Sequence, residues 1–177
     1  MGMQAVADAL ARLEKVLRRR PEAGMSEDAP ARACWAGPGD ALRVGCRHPN
    51  GREVFTDMPA ELGGSGDQVS PGWLYRAGLA SCATTSIVML AAAEGVALTR
   101  LEVESESRSD ARGLVELPDE RGVSVSPAPI DQRLVVRIAA EEATHAHLER
   151  LVHRALQRSP IPSVVSAAGL AVRIEVA

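Results

Sequence analysis

Apolar residues at helical spacing open the chain. From residue 6 to residue 17 they recur every three or four positions, which predicts an amphipathic helix over residues 3–19. Pro21 ends this helix, and the residues after it are rich in Pro, Gly and charge, as in a linker. The pattern therefore separates an N-terminal helix and linker, residues 1–31, from a domain over residues 32–177.

The longest apolar stretch of the chain follows Ser70 and Pro71. This pair favours a helix start, and Gly95 suits the position just past a helix end. No charged residue occurs from Ala77 to Ala93. A helix that is apolar on all sides either crosses a membrane or lies buried inside a protein. Because the uncharged stretch is shorter than the roughly 20 residues that a membrane span needs, we predict a buried central helix and no membrane segment.

Short apolar or alternating segments bounded by turn residues predict strands on both sides of this helix. The predicted strands cover residues 32–36, 41–47, 52–57, 98–110, 113–117, 130–139 and 170–176. A second amphipathic helix is predicted over residues 141–158, and the segment Ser159-Pro160-Ile161-Pro162 breaks it. Strands mixed with two long helices indicate an α+β fold.

Composition excludes several classes of function. The 177 residues include 46% hydrophobic but only 2% aromatic residues, so a core of aliphatic side chains is expected. Proteins that bind single-stranded nucleic acid stack bases on aromatic rings, and nucleic-acid binders carry a basic field, whereas this chain has a net charge of −3. The N-terminus lacks the pattern of a signal peptide, so we expect a cytoplasmic protein that does not bind nucleic acid.

Cys82, in the middle of the central helix, is the leading candidate for chemistry. A thiol in apolar surroundings has a raised pKa and is inert unless a cation stabilises the thiolate, and arginine suits that role best. The alternative is that Cys82 is a small residue packed in the core. Cys34 and Cys46 most simply pack in strands, although a disulfide between either one and Cys82 would make a redox sensor. No Cys-x-x-Cys pair indicates a zinc or thioredoxin-type site.

His145, Glu149 and His153 follow helical i, i+4 spacing and could bind a metal ion. Arg150 and Arg154 lie beside them, and their positive charge opposes a cation, so a solvated helix face is favoured. The glycine-rich loop after the third strand lacks the Gly-Lys pair of a phosphate-binding loop. We therefore expect neither a metal nor an organic cofactor.

Two segments resemble the OsmC/Ohr family of osmotically induced and organic-hydroperoxide-resistance proteins. The first runs from Asp57 through MPAELGGSGDQVSP into the helix GWLYRAGLASCATTS, and Cys82 falls eleven residues after Pro71, where the family has its reactive cysteine. The second is RALQRSPIPSVV, a helix that ends at a residue–Pro step before a closing strand. The resemblance covers residues 32–177. It implies an OsmC-like fold with antiparallel sheets around a long buried central helix, in an intertwined homodimer.

The resemblance also implies a reaction. A thiolate attacks the O–O bond of a hydroperoxide and becomes a sulfenic acid, which a second cysteine captures as a disulfide. A nearby arginine stabilises the thiolate, and a glutamate near the start of the cysteine helix holds the arginine. Arg43 is the best match for this arginine, with Arg32 and Arg47 as alternatives. Apolar walls would favour organic hydroperoxides over hydrogen peroxide.

This chain departs from the family pattern at two positions. Ser159 stands where the second cysteine is expected, and Gly72, next to the bulky Trp73, stands where the carboxylate is expected. A serine forms no disulfide, so an external thiol reductant would have to reduce sulfenic Cys82, which predicts a one-cysteine hydroperoxide reductase. The alternative is a catalytically degenerate OsmC-like dimer that binds a small apolar ligand between its subunits or has a structural role.

Overall fold

The computed structural model describes residues 2–176, which form four α-helices and six strands in two three-stranded sheets. The helices are α1 (Met3–Arg19), α2 (Pro71–Ala93), α3 (His145–Gln157) and α4 (Pro160–Ser166). The strands are β1 (Arg32–Trp35), β2 (Val44–Arg47), β3 (Glu53–Thr56), β4 (Leu98–Arg108), β5 (Ile130–Ala140) and β6 (Ala171–Val176). The predicted α+β class is confirmed.

The chain divides into two units. One is Arg12–Ala77, which contains the sheet β1–β2–β3, and the other comprises the chain from Gly78 together with the residues up to Ala11. The division falls inside α1 and α2, so it differs from the boundary after residue 31 that the sequence indicates. That boundary stays a prediction.

The sheet of the Arg12–Ala77 unit is antiparallel throughout, with β2 in the middle. Its three strands lie where they were predicted, with shorter bounds. The connection between β2 and β3 is a tight turn in which the Gly51 amide donates to the His48 carbonyl at 3.0 Å. Gly51 has a φ of 85°, a left-handed conformation that glycine adopts without steric cost.

The other unit has one hydrophobic core, to which α2, α3 and β5 each contribute an apolar face. The innermost side chains are exposed by 0–1% and repeat with the period of their element, every second residue on β5 and every third or fourth on the helices. They are Leu79, Ala83, Ile87, Ala91, Leu134, Val136, Ile138, Leu148, Leu151, Val152 and Ala155. Burying each of the larger ones stabilises the fold by about 1.5–3 kcal/mol.

Helix α2 is buried along one stripe within the chain. Residues off the stripe reach solvent, for example Ser81 and Thr85, and Met89 is 38% exposed. The helix has 23 residues, and an 18-residue window within it has a mean hydropathy of 1.3, so it is long and apolar enough to cross a membrane. The length argument against a span was therefore wrong. The core helix of a soluble protein passes the same test, and the buried stripe of α2 belongs to one core cluster with residues of β5 and α3. That the helix does not cross a membrane stays a prediction.

Three details differ from the sequence prediction. Residues 113–117 are not a strand, because Ala111–Val115 form a 3-10 helix that the Asp110 side chain caps by accepting from the Arg112 amide at 3.0 Å. Strand β6 pairs with β5 in parallel, so that sheet is mixed rather than antiparallel. The chain does leave its helix after Gln157, but Pro160 starts α4, since proline is tolerated in the first turn.

Candidate functional site

Cys82 and Ser159 lie in contact. Cys82 is in the middle of α2 and partly buried, and its Sγ is 3.1 Å from the Oγ of Ser159. Ser159 is fully buried at the start of α4, where its backbone carbonyl accepts a hydrogen bond from the Ser163 amide at 2.9 Å. The break between α3 and α4 turns this side chain toward α2. The structure thus brings together the candidate nucleophile and the residue that replaces the second cysteine.

Two hydrogen bonds connect Ser159 with Cys82. The hydroxyl of Ser159 donates to the backbone carbonyl of Cys82 at 3.2 Å. Because a serine hydroxyl has a single proton, the thiol S–H is then the donor in the contact with Ser159 Oγ. If the thiol loses its proton, the hydroxyl has to rotate from the carbonyl to the thiolate. Ser159 is therefore able to accept from the neutral thiol or to donate to the thiolate. In the second case its hydrogen bond to the Cys82 carbonyl is lost.

Arg43 belongs to a network of carboxylates in the Arg12–Ala77 unit. Arg43 was predicted to lie within a strand over residues 41–47, but β2 begins one residue after it, at Val44. Its Nη2 donates to Asp67 and, at 3.2 Å, to Ser65 Oγ, and it lies 3.8 Å from Asp57 Oδ2. The guanidinium is therefore held by two carboxylates from the loop between β3 and α2.

Asp57 is the buried centre of that loop. Its side chain is 1% exposed and accepts from the Met58 amide at 2.7 Å, the Ser65 amide at 3.1 Å and the Ser65 hydroxyl at 2.6 Å. These hydrogen bonds, the one from the Ser65 side chain foremost, outweigh desolvation and hold the pKa of Asp57 below its usual range, with help from the charge of Arg43. The loop closes tightly, because a Cβ on Gly64 would lie 1.9 Å from the Met58 carbonyl oxygen.

One hydrogen-bond donor of Arg43 is not used within the described residues. Its Nε is buried and has no hydrogen-bond partner within residues 2–176, although a quarter of the side chain is exposed. A buried donor without a partner costs about 1–3 kcal/mol. An acceptor that reached this N–H, from a ligand or another side chain, would therefore be bound favourably.

The start of α2 does not supply the carboxylate that the family pattern places there. The Ser70 hydroxyl accepts from the Trp73 amide at 3.1 Å and caps the helix. A Cβ on Gly72 would lie 3.7 Å from Arg76 Nη1 and 3.9 Å from Ser70 Oγ, and both are ordinary van der Waals contacts. The sequence did not identify Asp57 and Asp67 as partners of Arg43. Their position on either side of a Gly-Gly-Ser-Gly turn was the available signal, since such a loop folds back on itself.

The remaining candidates lie in the small sheet and on α3. Cys34 pairs with Gly45, and Ala33 with Cys46, so the two cysteines occupy opposite faces of the sheet. All the cysteines are free, and a disulfide of either one with Cys82 on oxidation stays a prediction. His145 Nδ1 lies 3.7 Å from Glu149, and the part of the chain that the structure describes contains no group of three or more potential metal ligands.

His147, which was not among the predicted site residues, joins α3 to the end of α2. Its Nε2 lies 3.2 Å from Glu94 Oε2, and Arg154 donates to the other oxygen of that carboxylate at 2.5 Å. Burial opposes ionisation of Glu94, but the hydrogen bond with His147 and the charge of Arg154 lower its pKa overall. These contacts connect α3 to the end of α2.

A family model and solved structures match this chain. The model described as OsmC-like protein matches residues 64–175, more than half of the chain. An organic hydroperoxide resistance protein OsmC from Legionella pneumophila is 19% identical, with a TM-score of 0.60 over 86% of this chain and 98% of that one. An OsmC-like protein from Mycoplasma pneumoniae is 12% identical, with a TM-score of 0.66 over 86% and 98% of the two chains.

A third similar structure is a putative organic hydroperoxide resistance protein from Vibrio cholerae, solved with captopril in one of its active sites. It is 22% identical, with a TM-score of 0.57 over 86% of this chain and 94% of that one. At these identities the likeness shows the fold. No curated protein matches this chain.

Proposed function

Because the chain belongs to the OsmC-like protein family, we propose that it reduces organic hydroperoxides by a one-cysteine mechanism, with Cys82 as the nucleophile. The observation that carries the proposal is the contact of the Cys82 thiol with the buried hydroxyl of Ser159 at 3.1 Å, on a helix position that is not fully buried. Several solved relatives are named organic hydroperoxide resistance proteins, which supports this reaction class.

In the proposed first step, the Cys82 thiolate attacks one peroxide oxygen. An S–O bond forms as the O–O bond breaks, and the other oxygen leaves with the electron pair and takes up a proton to become an alcohol. The sulfur is oxidised to a sulfenic acid and the hydroperoxide is reduced. Ser159 supports this step, because its hydroxyl is placed to donate to the thiolate once it turns from the Cys82 carbonyl.

The second step has to use a thiol from outside the chain, because Ser159 cannot close a disulfide. One external thiol attacks sulfenic Cys82 and releases water, giving a mixed disulfide, and a second thiol attacks that bond and restores the Cys82 thiol. A dithiol supplies both groups in one molecule. A reducing cytoplasm provides such thiols, and that compartment is part of the proposal.

Arg43 is proposed as the cation that favours the thiolate. Two features of its surroundings support it. The guanidinium is held by Asp67, Ser65 and Asp57 without a carboxylate at position 72, and its buried Nε retains an unused N–H. Arg32 and Arg47 are less suitable, since both are exposed in the sheet β1–β2–β3.

A homodimer is also part of the proposal. Helix α2 is apolar over most of its surface, yet within one chain only a stripe of it is covered. A second copy that packs on the uncovered side would remove exposed apolar groups such as Met89 from water.

The test is consumption of cumene hydroperoxide in the presence of dithiothreitol by wild type, Cys82→Ser and Cys46→Ser. We expect turnover in wild type and Cys46→Ser, and none above the uncatalysed rate in Cys82→Ser. Hydrogen peroxide should be a poorer substrate in the same assay. Equal rates for wild type and Cys82→Ser would contradict the proposal.

A second function is favoured by one observation. In its neutral form, the thiol has its hydrogen bond to Ser159 satisfied, so the resting contact stabilises an unreactive group as well as a reactive one. The corresponding protein is a catalytically degenerate OsmC-like dimer that binds a small apolar molecule. A Cys82 thiol that resists excess hydroperoxide would point to this function.

A further inference from the structure

A small concavity lies in the sheet β1–β2–β3 where β1 begins and β2 ends, and it is lined by hydrogen-bond donors and proline rings. Its volume is about 370 Å³, and its walls are Pro30, Arg32, Arg47, His48 and Pro49. No carboxylate is among these lining residues, although acidic residues outnumber basic ones in the whole chain by 23 to 20. We call this feature the basic cup.

The two arginines of the basic cup face each other directly across the β1–β2 ladder. Like charges at opposed positions destabilise a sheet, so the pair has a cost that an anion would relieve. Arg47 donates its Nε to Glu53 at 2.6 Å. Arg32 has no ion pair or side-chain hydrogen bond with any residue from 2 to 176. One positive charge of the pair is therefore not compensated.

His48 contributes a third donor. Its Nδ1 accepts the Asn50 amide at 3.1 Å, so in the neutral ring the proton is on Nε2. The turn that fixes this arrangement also bonds the Gly51 amide to the His48 carbonyl. The ring is thereby oriented by the backbone and not by an acidic side chain.

We propose that the basic cup binds a small phosphate monoester. The three terminal oxygens of such a group match three donor groups, which are the guanidinium of Arg32, the Nη nitrogens of Arg47 and the Nε2–H of His48. Opposed Cα atoms on antiparallel strands are about 4.5–5.5 Å apart, so a single tetrahedral phosphate is able to bridge both guanidinium groups. Pro30 and Pro49 offer apolar walls to the organic part of the ester. This proposal is independent of the reaction at Cys82.

Calorimetric titration with phenyl phosphate tests the proposal on the full-length chain. We expect saturable binding to wild type that weakens as salt rises, and weaker binding of benzoate, which offers two terminal oxygens instead of three and carries less negative charge. Arg32→Gln should weaken phenyl phosphate binding about tenfold, the usual scale for a lost charge-assisted hydrogen bond. The variant breaks no ion pair, and its melting temperature should match wild type.

Arg52→Gln is the matched control. Arg52 is exposed in the same hairpin and does not line the basic cup, so its replacement removes the same charge without removing a donor. Unchanged affinity in Arg52→Gln would support a defined site. The proposal is overturned if wild type shows no saturable binding, or if the Arg52→Gln and Arg32→Gln variants lose affinity equally.

The two cysteines of the same sheet give a second readout. Cys34 is two residues from Arg32 and shares its face of the sheet, whereas Cys46 is on the opposite face. The basic cup should favour anionic iodoacetate over neutral iodoacetamide at Cys34 relative to Cys46, and Arg32→Gln should reduce that preference. Equal preferences at the two cysteines in wild type would contradict a positive potential on this face.

Discussion

Replacing Ser159 by cysteine should convert this chain into one that closes an internal disulfide with Cys82. The two side-chain atoms are already 3.1 Å apart. A disulfide needs about 2.05 Å between its sulfur atoms, so the atoms have to approach by about 1 Å, a shift that small side-chain rotations can supply. After exposure to cumene hydroperoxide, the Ser159→Cys protein should therefore lose two hydrogen atoms in mass.

The size of the stabilisation follows from the length of the loop that the bond closes. Cys82 and Ser159 are 77 positions apart. Loop-closure entropy then gives an upper limit of about 4.5 kcal/mol in the free energy of unfolding at 25 °C. For a chain of this length the limit corresponds to a rise in melting temperature of about 10–15 °C. Strain from moving the two atoms together will reduce the measured value.

The assay compares intact mass and thermal melting of oxidised and reduced Ser159→Cys. Cys82→Ser/Ser159→Cys is the control, since it lacks the partner and should show neither the mass loss nor the reducible stabilisation. The reduced single variant should melt near wild type, which shows that the fold is intact. A folded Ser159→Cys protein that forms no disulfide with Cys82 would refute the close contact between α2 and the start of α4.

Three further predictions concern the loop that holds Arg43 and the start of α2. Gly64→Ala should lower the melting temperature strongly, because its Cβ would collide with the Met58 carbonyl, whereas Gly39→Ala, with nothing within 4 Å, should have little effect. Because the pKa of Asp57 is lowered by folding, its contribution to stability is present above the unfolded value of about 3.9 and is lost as pH falls through the folded value. Urea unfolding from pH 6 downward should show that loss in wild type and less of it in a folded Asp57→Asn variant. Gly72→Glu should be tolerated sterically, because a Cβ there meets only ordinary contacts. An acidic side chain in the first turn of α2 interacts favourably with the helix dipole, so the melting temperature should be unchanged or higher.

The sequence was sufficient for the elements with strong periodicity and clear end signals. Helix α2 was located from Ser70, Pro71 and Gly95, and the structure gives Pro71–Ala93. The segment at 113–117 was misassigned, because a short apolar run does not distinguish a strand from the 3-10 helix that Asp110 caps. The parallel pairing of β6 was also missed, since local alternation predicts a strand but not the direction of its partner.

The candidate site was predictable in part, for a related reason. Cys82 was found from its place in a helix and from a family pattern. The carboxylates around Arg43 were not, because Asp57 and Asp67 meet only when the loop between them folds back. Contacts of this kind depend on the path of the chain, which spacing within one element does not encode. The hydrogen bonds between Ser159 and Cys82 likewise depend on how α3, α4 and α2 pack, which the sequence pattern does not predict.

The reaction of Cys82 with a hydroperoxide is tested by intact mass after treatment with cumene hydroperoxide in the presence of dimedone. Dimedone adds to sulfenic acid, so we expect one adduct on wild type and none on Cys82→Ser. Cys46→Ser should retain the adduct. A wild-type protein whose Cys82 thiol stays unmodified under excess hydroperoxide would contradict the account and leave the ligand-binding dimer as the better explanation.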